Sequence, residues 1–218
     1  MPRRFRLLAF DWDGTLADST ALIAGALQKT CLEMGLAVPD DVAAKHVIGL
    51  GHRDSIRYLA PTLDEREHGR FTERFGSHYM VGDAGIPLFE GVRAMLAELA
   101  ARGFVLGIAT GKSRRGLDRV LAQHGIAHYF GVSRCADEGH PKPHPDMLLS
   151  LMEQADVAPE STLMIGDTTH DLQLARNAGA SSLAVAYGAH PPDGLADMSP
   201  LATVHSVAEL RQWLTQHA

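Results

Sequence analysis

Short apolar runs alternate along this chain with stretches in which apolar positions recur every three or four residues. The runs at 7–10, 104–109, 162–165 and 182–185 are too short for helices, so they predict buried strands. Residues 92–102, 114–123, 172–178 and 207–214 carry helical spacing, and Gly125 and Gly179 close two of them. A further helix is expected from Asp146. This alternation predicts an α/β fold, a parallel sheet with helices on both faces. One stretch departs from it. After the first strand, Asp18 or Ser19 can cap a helix with Ile23, Leu27, Cys31 and Met34 on one stripe, stopping at Gly35. From there to about Val81 no strand-like run occurs, and helical segments break at Pro39, Gly49-Leu50-Gly51 and Pro61. Residues 18–82 therefore predict an all-helical insertion, 82–87 a return linker, and 1–17 with 83–218 the α/β core.

Composition narrows the function. The chain has 218 residues, 45% of them hydrophobic, enough for one α/β domain plus a small insert. A formal charge of −6 and a pI near 6.0 disfavour nucleic acid as a partner. Two cysteines, Cys31 and Cys135, suggest no disulfide framework and a cytoplasmic location. The basic N-terminal stretch is followed by an apolar run that Asp11 and Asp13 cut short, so neither a signal peptide nor a membrane span is expected. The twelve histidines are scattered rather than set at ligand spacing, and no dedicated zinc site is expected from them.

Four strand ends carry chemistry. Asp11 and Asp13 lie two apart where the first strand yields to Gly14-Thr15, so both carboxylates are expected to face one spot. The second run ends on Thr110-Gly111-Lys112-Ser113, a hydroxyl and a glycine at a helix start, suited to a phosphate oxygen. Lys142 stands among Pro141, Pro143 and Pro145, which stiffen the backbone around it. Gly166-Asp167 closes another strand, and Asp171 follows one helical turn later. Each has a plainer reading: an acidic turn, a helix cap, a proline-rich loop, a pair of dipole-stabilising aspartates. All four plain readings holding together is a poor account of the chain.

In this order and at these separations the four resemble the motifs of the haloacid dehalogenase superfamily. Asp11-x-Asp13-Gly-Thr is similar to the first motif, Thr110 to the second, Lys142 to the third and Gly166-Asp167-x-x-x-Asp171 to the fourth. The resemblance covers nearly the whole chain and implies a Rossmann-like core, the helical insertion matching the cap of the phosphoglycolate phosphatase-like subgroup. It implies a magnesium-dependent phosphatase acting on a small phosphorylated metabolite, phosphoglycolate-like, through an aspartyl-phosphate. Asp11 would be the nucleophile and Asp13 the general acid–base. Mg²⁺ would take Asp11, the Asp13 backbone carbonyl and Asp167. Lys142 would neutralise charge, Thr110 with Gly111 and Lys112 would hold substrate, and Asp171 would orient Lys142 or a metal-bound water.

An aspartate at position 13 favours phosphate esters over the dehalogenase and phosphonatase branches. A sugar phosphomutase retains it, and a catalytically weak phosphate-binding regulator on the same fold is a further alternative. Within the cap, Gly51 and Arg53 of the glycine-containing turn are expected to meet the leaving group, with the cap hinging as a lid. A monomer or weak homodimer is expected.

Overall fold

The computed structural model describes residues 4–83 and 85–218, so residues 1–3 of the basic N-terminal stretch and residue 84 of the return linker lie outside it. The chain opens with β1 (Leu7–Phe10), followed by four helices, α1 (Thr20–Glu33), α2 (Asp41–His46), α3 (His52–Leu59) and α4 (His68–Asp83). Then come α5 (Val92–Ala101), β2 (Val105–Thr110), α6 (Arg114–His124) and β3 (Phe130–Cys135). The rest alternates as α7 (Asp146–Ala155), β4 (Thr162–Gly166), α8 (Thr169–Asn177), β5 (Ser181–Val185), α9 (Pro192–Ala196), β6 (Thr203–Val204) and α10 (Val207–His217).

The strands pair in parallel in the order β3-β2-β1-β4-β5-β6. β1 thus lies centrally, at the point where strand order reverses, and the crevice outside its carboxyl end is where such sheets bind ligands. Every residue of β1 is buried, as a strand covered on both faces requires. Its pleat divides the core. Leu8 and Phe10 join the larger cluster with Leu96, Ile108, Ile165 and Leu210, while Leu7 and Ala9 pack with Leu148, Met164 and Leu174. Trp12 also enters the larger cluster and is 1% exposed.

The predicted strands and helices are present with small shifts of their ends. Two strands, β3 and β6, were not predicted, and they are the two edges of the sheet. The helices between β1 and α5 have a separate apolar centre in Leu27, Cys31, Val47, Ile56 and Phe71. This insertion sits on the carboxyl edge of the sheet. Its Gly49 carbonyl oxygen lies 3.0 Å from where a Cβ on Gly111 would stand, so glycine lets the two segments approach without a shift. Nearby, the His46 carbonyl accepts from His170 Nε2 at 2.7 Å and from His190 Nε2 at 3.1 Å.

Candidate active site

The loop after β1 is built to present carboxylates. Asp11 continues the sheet, its N–H donating to the Ile165 carbonyl at 2.9 Å. The chain then turns back, with Leu16 and Ala17 N–H both donating to the Trp12 carbonyl and Gly14 N–H donating to Ala17. Gly14 takes a φ of +87°, and a Cβ there would stand 2.2 Å from Asp167 Oδ2. Glycine is required on both counts.

Lys142 is 0% exposed, and its Nζ lies 2.5 Å from Asp11 Oδ1 and 2.6 Å from Asp171 Oδ1. Asp171 Oδ2 accepts from the Thr168 N–H and hydroxyl, while the Thr168 hydroxyl accepts from the Asp171 N–H. This capping box starts α8, so Asp171 caps a helix and fixes a lysine at once. The N-cap is Thr168, not Asp167, and the helix begins earlier than its apolar periodicity indicates. Asp167 is instead held by Thr15 Oγ1 at 2.8 Å and by the Ala189 N–H at 2.7 Å.

Asp13 Oδ1 accepts from Ser19 Oγ at 2.7 Å and lies 3.0 Å from Lys112 Nζ. Ser19 precedes α1 but makes no side-chain cap; its hydroxyl serves Asp13. Lys112 Nζ also donates to Tyr79 Oη at 2.8 Å, tying the Asp13 end of the site to the last turns of α4. Thr110 is buried, and its Oγ1 accepts from the Lys112 N–H at 3.2 Å, forming the turn that opens α6. The structure therefore gathers Asp11, Asp13, Thr110, Gly111, Lys112, Lys142, Asp167 and Asp171 at one end of the sheet.

The charges around this point do not balance. With every group ionised, four carboxylates, Asp11, Asp13, Asp167 and Asp171, face two ammonium groups, Lys112 and Lys142, an excess of two negative charges. Burial pushes Asp11 up, an effect that Lys142 opposes and Asp171 and Asp13 reinforce. Burial raises Asp167 well above the usual carboxylate range, with Asp11 and Asp171 adding to it. Asp11 Oδ2 is buried without a hydrogen-bond partner. An oxygen-lined, anionic site with an orphaned carboxylate oxygen fits a hard divalent cation. Asp171 is a poor ligand for it, because both of its oxygens are already engaged.

Two cap residues fall elsewhere. Arg53 does not face the site: it is 63% exposed on its side chain and pairs with Glu65 at 2.9 Å. Gly51 packs on Pro141, where a Cβ would stand 2.8 Å from the ring. The cause is helical period. On α3, His52, Ser55 and Ile56 line the interior, whereas Arg53 and Arg57, one turn apart, both reach Glu65 on the outer side. The expectation that Gly51 and Arg53 meet the leaving group is therefore corrected: on α3 it is His52, Ser55 and Ile56, not Arg53, that line the cavity next to Asp13.

Thr15 figured in the sequence only as part of the first motif and Ser19 only as a helix cap, and neither their bonds to Asp167 and Asp13 nor the support from Tyr79 and the Ala189 N–H was foreseen. The histidines also hold a surprise, since His46, His170 and His190 meet where the insertion touches the core. The Thr169 N–H donates to His190 Nδ1, so His190 carries its proton on Nε2 and gives it to the His46 carbonyl. Burial and the neighbouring His170 push His190 down to about 4. His170 donates to the same carbonyl, and the trio is a hydrogen-bonded seam.

A buried aspartate at a strand end, a buried lysine against it and an orphaned carboxylate oxygen in an acidic cluster suit chemistry on an anionic group such as a phosphoryl group. Comparison with known proteins agrees. Residues 8–185 match the family described as haloacid dehalogenase-like hydrolase, and the chain belongs to that family. A phosphoglycolate phosphatase of Vibrio vulnificus (strain CMCP6) is 32% identical over 218 residues, covering 95% of both chains. A protein of Dickeya dadantii (strain 3937) named probable phosphatase IndB is 32% identical over 210 residues, covering 94% of this chain and 91% of that one. The solved structure of a haloacid dehalogenase-like family hydrolase from Streptococcus pneumoniae, 26% identical, superposes with a TM-score of 0.82 over 96% of this chain and 98% of that one.

Proposed function

We propose that the protein is a divalent-metal-dependent phosphatase that hydrolyses a small phosphorylated metabolite through a phosphoryl group carried on Asp11. The observation that carries this reading is Asp11 itself: a buried carboxylate with one oxygen against Lys142 and the other without a partner. The names of the phosphatase relatives support the class of substrate.

The chain's residues divide the reaction as follows. An Asp11 oxygen attacks phosphorus, forming an O–P bond as the bond to the alcohol oxygen breaks. Asp13 Oδ1 is engaged by Ser19 and Lys112, which leaves Oδ2 to protonate the departing alkoxide. Asp13 then takes a proton from the water that attacks the phosphoaspartate, so phosphate leaves and Asp11 is regenerated. Lys142 offsets charge on Asp11 and on the phosphoryl oxygens, while Asp171 keeps that lysine in place. Thr110 and the Gly111 N–H hold one phosphoryl oxygen. Mg²⁺ bound by Asp11, the Asp13 carbonyl and Asp167 would neutralise the charge of the phosphoryl group. The insertion, seated over the site, serves as its cap and excludes water.

The test is hydrolysis of p-nitrophenyl phosphate with Mg²⁺ and with a chelator. Phosphate release that requires the metal supports the reading. Folded, metal-loaded protein with no turnover above background overturns it, and favours a phosphate-binding regulator.

A further inference from the structure

A cavity of about 460 Å³ lies between α1, α3 and α4 of the insertion and the start of α6. It opens onto Asp13, Gly111 and Lys112, and neither Asp11, Lys142 nor Asp167 lines it. It is therefore continuous with the general-acid end of the site, where the alcohol portion of a substrate has to lie. That place for the alcohol portion rests on the phosphatase reading above.

Its walls are those of a hydrophobic site. Leu27, Val47, Ile56, Phe71 and Phe75 line it from the insertion. The hydroxyls among them are occupied: Thr72 donates to the His68 carbonyl at 3.0 Å, and Ser55 donates to the Gly51 carbonyl at 3.1 Å. Ser113 accepts from the Gly116 N–H at 3.2 Å. Lys112 is committed to Asp13 and Tyr79, and the remaining polar side chains of the lining are His52 of α3 and Arg115 and Arg119 of α6. Against the apolar wall of the insertion a ligand dense in hydroxyls would lose its hydration and recover few hydrogen bonds. A two-carbon acid such as phosphoglycolate would leave most of the space to water against apolar surface. A volume in the range of small-molecule sites, with apolar walls and polar groups at one end, suits an amphiphilic ligand held by its polar end.

We infer that the substrate is a phosphate monoester whose alcohol portion is a sizeable apolar group, aliphatic or aromatic, seated in this cavity with its phosphate at Asp11. The inference differs from the substrate in the name of the Vibrio relative.

The n-alkyl phosphates from ethyl to octyl provide the test, because their alcohols are almost equally poor leaving groups and differ only in length. Each methylene that enters an apolar site is worth about 0.8 kcal/mol, or roughly a fourfold gain in kcat/KM. The expected result is a rise of about that factor per carbon until the cavity is full, with phosphoglycolate well below the longer esters. A flat series, or phosphoglycolate as the best substrate, overturns the inference while p-nitrophenyl phosphate turnover leaves the phosphatase reading standing. No turnover of any ester overturns both. As a second readout, Phe75→Asn is expected to lower kcat/KM for hexyl phosphate more than for ethyl phosphate, flattening the slope. An unchanged slope in that folded variant places the alkyl chain elsewhere and overturns the assignment of this cavity.

Discussion

The two ends of the site are built on opposite principles. On the core side, Lys142 and Asp171 are fully buried and Asp11 nearly so, within hydrogen-bond distance of one another. On the insertion side, the cavity wall is largely apolar, with Leu27, Phe71 and Phe75, and the hydroxyls of Thr72 and Ser55 are already taken. Buried charge is costly unless every partner is in place, so the core end tolerates little change and fixes the reaction. Apolar lining imposes shape and size without directional contacts, so the insertion end can be varied and sets which alcohol is accepted. Asp13 stands at the junction, touching both.

The most damaging change on the core side is Asp11→Asn. The amide keeps the shape but loses the nucleophile and a metal-binding charge, and kcat is expected to fall by roughly 10⁴ or more. Turnover within tenfold of the parent would remove the covalent role from Asp11. At the junction, Asp13→Asn is expected to cost about 10² to 10⁴ in kcat/KM for alkyl phosphates. The loss should be smaller for p-nitrophenyl phosphate, whose leaving group departs without a proton. Equal losses on both would assign Asp13 a purely structural part.

Charge imbalance at the core end makes a further prediction, about stability. Asp11 and Asp167 both have raised folded pKa values, so without metal each holds its proton more tightly in the folded than in the unfolded state. Stability of the metal-free protein should therefore decline as pH rises from the ordinary carboxylate range towards neutrality and beyond. Mg²⁺ relieves this repulsion and competes with protons below it. Saturating Mg²⁺ should thus raise Tm more at pH 8 than at pH 5, and an equal rise at both would contradict the charge count. The smallest effect is expected from Arg53→Ala. Its solvent-exposed pair with Glu65 is screened and adds little to stability, and kcat/KM should change less than twofold on any substrate. A selective loss on an anionic substrate would return Arg53 to the cavity.

Legibility in the sequence followed the same division. The core-side residues sit at strand ends, where an apolar run stopping at Asp11, Thr110 or Asp167 marks both strand and ligand crevice. Local order was enough to locate them. The edge strands β3 and β6 were missed because edges are partly exposed; Phe130–Cys135 mixes Gly131, Ser133 and Arg134 into its run, and Thr203–Val204 is too short to show a pattern. Ser19 was read as a helix cap, and nothing nearby in sequence shows that its hydroxyl turns to Asp13. The seam of His46, His170 and His190 joins three distant segments, so spacing could not reveal it. On the insertion side the glycine turn was visible, but which face of α3 turns inward depends on packing against Phe71 and Phe75, which the sequence does not specify locally.

The central claim is that the phosphoryl group passes through Asp11. Acid-quenching the enzyme during turnover of an alkyl phosphate, with Mg²⁺ present, and mapping peptides by mass spectrometry locates it directly. The account predicts one added phosphoryl group on the peptide carrying Asp11, absent in Asp11→Asn and accumulating when Asp13→Asn slows its hydrolysis. A phosphoryl group on any other residue, or none in an enzyme that is turning over, would contradict it.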